Sequence, residues 1–197
     1  MKLVLASASA SRARMLKNAG VEFDVVPASV DEEAVKDSLL AEKAKPRDIA
    51  DALAELKARK VSASRPGMLV LGADQVLDFR GELISKCETP VEARALLMRM
   101  RGQSHELFSA AVLVLNGAPV WRFVDRAKLW MRNVSDAFLD EYMAREGEGL
   151  LAGVGCYKFE GLGVQLFERV EGDHFTIWGL PLLPLLNALR EQSVLPR

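Results

Sequence analysis

The sequence predicts an α/β fold: a mixed twisted sheet with flanking helices, arranged as two lobes around a cleft within one domain over residues 1–197. Three observations predict it. Short apolar runs at Lys2–Ala6 and Met68–Gly72 read as buried strands of the parallel type. Segments of helical period, with capping residues before them, alternate with those runs. Asn116-Gly117 separates two long strand-like stretches, which marks an antiparallel hairpin.

In chain order, the strand Lys2–Ala6 hands over through the serine-rich turn Ser7–Ser11 to a helix over about Arg12–Ala19, which Gly20 closes. Glu22–Val26 is a second strand ended by Pro27, and Val30–Ala44 reads as an acidic, irregular stretch with weak helical character, suited to line a site. From Pro46 a helix keeps Ile49, Leu53, Leu56 and Lys60 on one face, which sets Lys57 beside the apolar stripe. Met68–Gly72 ends in Ala73-Asp74-Gln75, and Val76–Ile84 forms a hairpin around Arg80-Gly81. Thr89-Pro90-Val91-Glu92 opens a helix to Arg101, with a cap, a first-turn proline and a capping-box glutamate. The long hairpin pairs Leu107–Leu115 with Val120–Arg132, Ser135 caps a helix to about Arg145, strands follow near Cys156–Phe159 and Gly163–Glu168, and a helix spans Pro181 to Glu191.

Composition excludes several classes. With 26 Lys+Arg against 27 Asp+Glu the net charge is −1, so no global basic field exists for nucleic-acid binding, and any anion site must be local. Two cysteines, Cys87 and Cys156, and two histidines, His105 and His174, have no zinc-finger spacing, and a disulfide framework is not expected. The first residues carry an apolar run too short for a signal segment, and no uncharged apolar run of membrane-spanning length occurs, so the expected setting is cytoplasmic, without membrane contact. Phosphate-loop, dinucleotide-fold and nucleophile-elbow motifs are missing. Acidic and basic residues at strand ends and loops remain, the raw material of metal-assisted phosphoryl chemistry.

Ser7, Ser9, Ser11 and Arg12 stand where a strand meets a helix N-terminus, a place where N–H groups, hydroxyls and a guanidinium suit phosphate, and where serine also serves simply as a cap. Asp74 follows the apolar run MLVLGA at the carboxyl end of a buried strand, a position from which a carboxylate holds a divalent cation or takes a proton from water; it is equally a turn-capping aspartate. Asp31, Glu32 and Glu33 form an acidic run of the kind that ordinarily solvates a face. Lys57, Lys86 and Lys158 read singly as surface lysines, yet a pyrophosphate leaving group needs several cations. His105, His174 and Cys156 read as structural residues.

Taken in order, LASASASR at 5–12, VDE at 30–32, LAELKA at 53–58, GADQV at 72–76, SK at 85–86, GQSH at 102–105, KFEG at 158–161 and GDHFTIWGLP at 172–181 resemble the Maf (septum-formation protein) family over nearly the whole chain. The resemblance implies a nucleoside triphosphate pyrophosphatase with an ITPase-like fold, a divalent metal such as Mg²⁺ or Mn²⁺, and a homodimer. It makes Asp74 the proton acceptor and a metal ligand, Glu32 the second metal carboxylate, and Arg12, Lys57 and Lys86 the phosphate-binding cations, with Ser7 and Ser9 beside them. Gln75 and the run around Glu160 look like the 7-methyl-GTP branch, whereas the dTTP/UTP branch typically carries threonine after the aspartate and glutamine at the place of Glu160. The chain departs from the family pattern at Ala10 and Ser11, which replace a proline and the branch tryptophan, at Ala13, which replaces a second arginine, and at Ser85-Lys86-Cys87, which replaces G-K-P. The rival expectations are a dTTP/UTP pyrophosphatase and a non-catalytic nucleotide-binding regulator of cell division, the latter having no need of Asp74.

Overall fold

A computed structural model describes residues 2–196. Its elements are β1 (Leu3–Leu5), α1 (Ala10–Asn18), β2 (Phe23–Val25), α2 (Glu32–Ala41), α3 (Pro46–Ser62), β3 (Leu69–Phe79), β4 (Glu82–Ile84), α4 (Pro90–Met100), β5 (Ser104–Leu115), β6 (Ala118–Met131), α5 (Asp136–Glu146), β7 (Phe167–Glu171), α6 (His174–Ile177) and α7 (Leu182–Glu191). The strands form a mixed sheet in the order β2-β1-β3-β5-β6-β7, with β4 beside β3. The predicted α/β class with a mixed sheet and flanking helices is therefore the observed one. By contact density the chain divides into two compact units. The first comprises Met1–Gln75, Phe108–Asp125 and His174–Arg197, and the second Val76–Leu107 and Arg126–Asp173.

In the first unit, β1 is the hub. It is fully buried and runs parallel to β2, with Leu3 opposite Phe23, and parallel to β3, with Leu3 opposite Leu69 and Leu5 opposite Leu71. Parallel neighbours require crossovers, which α1 supplies between β1 and β2, and α2 and α3 between β2 and β3. Side chains alternate along a strand, so Leu69, Leu71 and Ala73 face one way and join Leu3, Leu5, Met15, Leu16, Leu185 and Leu189 in a core shared with α1 and α7. Each fully buried leucine there contributes about 1.5–3 kcal/mol. Gly72 and Asp74 face the other way. A Cβ on Gly72 would lie 2.0 Å from the Ala54 carbonyl oxygen and 2.8 Å from the Ala58 Cβ, so α3 presses directly on the strand at a place where only hydrogen fits.

The second unit is built on hairpins and capped helices. The turn Arg80-Gly81 joins β3 to β4, both residues having positive φ (60° and 87°), as a two-residue turn of the primed type requires. Asn116-Gly117, at φ 49° and 79°, makes the same kind of turn between β5 and β6 within the first unit. Thr89 and Ser135 cap α4 and α5 by accepting from the backbone N–H of Glu92 and Phe138. No helix among the described residues is long and apolar enough to cross a membrane.

Four expectations change. The acidic stretch Val30–Ala44 is mostly helical: Asp31 accepts from Ala34 N–H at 3.1 Å and caps α2, and Glu32 and Glu33 occupy its favourable first turn. No strand forms at Cys156–Phe159; turns occupy it, with Cys156 at φ 53°, and 3₁₀ turns at Gly147–Ala152 and Leu162–Leu166 flank it, so that β7 begins only at Phe167. The buried stripe of α3 keeps the expected Ile49 and Leu53 but continues through Ala50, Ala54, Lys57, Ala58 and Val61 rather than toward Leu56 and Lys60, because two alanines allow the close approach to Gly72. Finally, β3 continues past Asp74 to Phe79, since Val76 and Leu77 also have a core to enter.

The contact at Gly72 generates a prediction for stability. Gly72→Ala forces α3 from the sheet and is expected to cost about 1–3 kcal/mol or more by overpacking against backbone atoms that cannot rotate away. Urea denaturation of the variant measures it, and an unchanged midpoint would refute the close packing of α3 on β3.

Candidate functional site

The face of β3 that carries Gly72 carries Asp74 two residues later, and this places the carboxylate over α3. Asp74 lies inside a continuous strand rather than at its end, but its parallel neighbour β1 stops at Leu5, opposite Leu71. Asp74 therefore stands beyond the carboxyl end of β1, where a parallel sheet opens a place for ligands, and it retains only 5 % exposure.

Its partner is Lys57, one residue before the alanine that abuts Gly72. The Lys57 ammonium donates to Asp74 Oδ1 at 2.5 Å and lies 2.9 Å from Glu32 Oε1 on α2. One buried cation thus joins two carboxylates from different elements, and the lysine sits within the buried stripe of α3 instead of beside it. Among the described residues no three His, Cys, Asp or Glu side chains gather as a metal cluster. Asp74 and Glu32 are a pair. Their chemistry nevertheless fits a Mg²⁺-like ion: hard oxygen donors already sharing a cation, in the number that such ions take from protein when phosphates and waters supply the rest.

Arg12 approaches from α1. Its Nε donates to the Gly179 carbonyl at 2.8 Å, and its Nη1 donates to the Ala73 carbonyl at 2.9 Å and to Ser7 Oγ at 3.1 Å. Burial pushes its pKa below the ordinary arginine value, and the charges of Asp74 and Glu32 pull it back up. It stays a cation. The three acceptors are neutral oxygens, so they orient the guanidinium without cancelling its charge.

The serines divide their work. Ser7, 8 % exposed, accepts from Arg12 and from the Ser9 N–H at 3.2 Å, whereas Ser9 Oγ accepts from Arg12 N–H at 3.4 Å and is the N-cap of α1. Ser11 occupies the first turn of the same helix. Gln75 turns its amide inward: Nε2 lies 3.0 Å from Ser109 Oγ, 3.0 Å from the Thr176 carbonyl and 3.1 Å from the Ile177 carbonyl. Two of these partners are carbonyls that only accept, which fixes the nitrogen on this side. Ser109, Thr176 and Gly179 were not singled out by sequence patterns. The glycine itself and the run GDHFTIWGLP were the available signals, but neither shows which strand the segment meets.

The structure thus brings Ser7, Ser9, Arg12, Glu32, Lys57, Asp74 and Gln75 into the first unit. Lys86 and Glu160 belong to the second. Lys86 is exposed just after β4, and Glu160 is exposed between the turn containing Cys156 and the 3₁₀ turn at Leu162. In that unit Lys158 pairs with Glu146 at 3.2 Å, and its backbone N–H donates to the Tyr142 hydroxyl at 3.2 Å. Burial, then a hydrogen bond with Cys87, raises the Cys156 thiol to about 12, which leaves it unreactive. His105, 2 % exposed, has Nε2 2.7 Å from the Tyr157 hydroxyl, and burial lowers its pKa to about 4. It is a neutral packing residue.

That depression carries a pH signature. Because the folded pKa lies below the unfolded value of about 6.5, His105 contributes nothing above that pH and costs stability as the unfolded chain takes up its proton between about pH 6.5 and 4. The full effect is roughly 3 kcal/mol. His105→Gln is expected to flatten the fall of stability over that window, read by urea titrations at pH 7, 5.5 and 4; an unchanged slope would show that His105 protonates freely when folded.

The model of the family described as "Maf-like protein" matches residues 2–192. A nucleoside triphosphate pyrophosphatase of Caulobacter vibrioides is 56 % identical over 193 residues, covering 98 % of this chain and 96 % of the relative. Proteins with the same description from Ruegeria pomeroyi (54 % identical, 98 % and 97 % covered) and Sphingopyxis alaskensis (51 % identical, 100 % of both covered) are similar throughout their length.

Proposed function

The chain belongs to the Maf-like protein family, and from that premise we propose that it is a nucleoside triphosphate pyrophosphatase, converting a triphosphate and water into a monophosphate and pyrophosphate, with 7-methyl-GTP as its substrate. The observation that carries the reading is the buried Lys57 ammonium shared by Asp74 and Glu32, with the Arg12 guanidinium held by Ser7 and the carbonyl of the residue before Asp74. Full-length similarity to proteins described as nucleoside triphosphate pyrophosphatases supports it.

In this reading Asp74 Oδ1 stays with Lys57 and Oδ2 accepts the proton of the attacking water. The water oxygen bonds to the α-phosphorus, the bridging bond to the β-phosphate breaks, and pyrophosphate departs with that electron pair. Two of the three Lys57 protons are directed at carboxylates and the third is assigned to a phosphate oxygen. Arg12, with Ser7 and Ser9 at the start of α1, holds the phosphate chain, and Lys86 meets the charge that grows on the leaving group. Asp74 and Glu32 would hold Mg²⁺ or Mn²⁺, which, when bound, supplies charge neutralisation on the phosphate oxygens. Glu160 reads the base: a carboxylate accepts from both N1–H and the 2-amino group of guanine, a pair that uracil and thymine lack. Gln75 agrees with that branch, whereas Ser11, in place of the branch tryptophan, departs from it. The reading includes a cytoplasmic homodimer with no nucleic-acid or membrane partner.

Asp74→Asn retains shape and removes charge and basicity, and turnover is expected to fall about 10²-fold or more with the fold intact. Pyrophosphate release, compared with and without chelator, measures it; near-normal turnover, or orthophosphate and a diphosphate as first products, overturns the mechanism. Glu160→Gln is expected to shrink the preference for 7-methyl-GTP over UTP by about 1–3 kcal/mol, as suits the loss of a charged contact. Ratios of kcat/KM on 7-methyl-GTP, GTP, UTP and dTTP test this, and a wild-type preference for UTP or dTTP would refute the substrate.

A further inference from the structure

The segment His174–Gly179 is fastened to β3 and β5 by more polar contacts than a four-residue helix needs. Thr176 is fully buried; its carbonyl accepts from Ser109 Oγ at 2.7 Å and from Gln75 Nε2 at 3.0 Å, and its own hydroxyl donates to Asp125 Oδ2 at 2.7 Å. Gln75 Nε2 also reaches the Ile177 carbonyl. The same Thr176 carbonyl accepts the Gly179 N–H at 3.1 Å, and the Gly179 carbonyl accepts Arg12 Nε at 2.8 Å. A continuous hydrogen-bonded path therefore runs from Gln75 and Ser109 through the turn at Thr176–Gly179 to the guanidinium. Gly179 makes the turn possible. Its φ of 99° disfavours any side chain, and a Cβ there would lie 3.6 Å from Arg12 Nε and 3.7 Å from Gln75 Oε1.

We propose that Gln75 is a positioning residue for Arg12: with Ser109 it sets the carbonyl of Gly179 at the place that fixes the guanidinium, and so acts on the phosphates rather than on the base. The proposal rests on the reading of Arg12 as a phosphate-binding group, and it gives the glutamine next to Asp74 a physical task. An amide is needed. Two backbone carbonyls face its nitrogen, so a carboxylate would meet acceptors with an acceptor, and a shorter hydroxyl would not span to both.

The test is a double-substitution cycle of Gln75→Leu and Arg12→Ala, with KM and kcat on 7-methyl-GTP and UTP, melting temperature, and the hydrogen-exchange rate of the Arg12 Nε–H by NMR. Gln75→Leu is expected to raise KM about tenfold on both nucleotides alike, with kcat little changed. Combined with Arg12→Ala it should add less than about twofold, because the two act as one unit. Arg12 Nε–H should exchange at least about tenfold faster in the variant. Gln75→Glu should reproduce these changes, and Ser109→Ala, which keeps the glutamine, should give a weaker form of them even if Gln75→Leu does not fold. Multiplying effects in the cycle, a KM rise confined to one nucleotide, or an unaltered exchange rate overturns the proposal. If instead Arg12→Ala leaves KM unchanged while the exchange rate still responds to Gln75→Leu, the positioning stands and the phosphate role of Arg12 falls.

Discussion

A lysine ammonium held between two carboxylates, with all three side chains wholly or partly withdrawn from water, is the constraint on which the first unit is organised. Burying such charges costs several kcal/mol each, and the attraction between them offsets that cost only when the geometry is good. Lys57 meets the condition because its two partners arrive from different directions: Asp74 from the strand beneath α3 and Glu32 from the first turn of α2. The arrangement constrains three elements together. Removing Lys57 would leave two carboxylates facing each other without a cation, which is far more disruptive than the loss of one surface ion pair, whereas losing either carboxylate leaves the lysine still paired with the other.

What permits that meeting is an absence of atoms. Gly72 and the alanines at 54 and 58 let α3 lie against the strand at a distance no larger residue tolerates, and Lys57 and Asp74 follow from that contact by one residue and by two. The opposite face of the strand, by the period of two, gives Leu69, Leu71 and Ala73 to the apolar core with α1 and α7. The same strand therefore anchors the fold on one side and the charged site on the other. Ala73 contributes to both, its side chain in the core and its carbonyl on Arg12.

Arg12 is placed by a second, neutral set of contacts. A hydroxyl and two carbonyls take its protons, so its charge is oriented and remains available, with Asp74 and Glu32 opposing the depression that burial imposes. One charged network and one neutral network thus converge on the Ala73-Asp74-Gln75 tripeptide: Ala73 through its carbonyl, Asp74 through its carboxylate, Gln75 through its amide. The neutral network suits chemistry in which negative charge grows on phosphate oxygens, because a cation held by uncharged acceptors, as Arg12 is, needs little reorganisation to meet it.

Local rules made the strand at Leu3–Leu5, the capped helices at Thr89 and Ser135, and the turns at Arg80-Gly81 and Asn116-Gly117 legible, since each depends on residues within about four positions of one another. Asp74 and Arg12 stood out by position in the sequence, whereas Lys57 and Glu32 entered only through the family resemblance. Local rules gave only weak helical character at Val30–Ala44, where a cap and an acidic first turn open a full helix, and they failed at Cys156–Phe159, where β-like composition yields to turns. Only the tertiary structure decided that Lys57 lies in the buried stripe of α3, that Asp74 stands past the end of β1 within a longer strand, and that the turn at Thr176–Gly179 reaches Arg12 from 167 residues away. The physical reason is that sequence spacing encodes hydrogen bonds and faces within one element, while the pairing of faces between elements is set by packing, here by the fit of two alanines against a glycine.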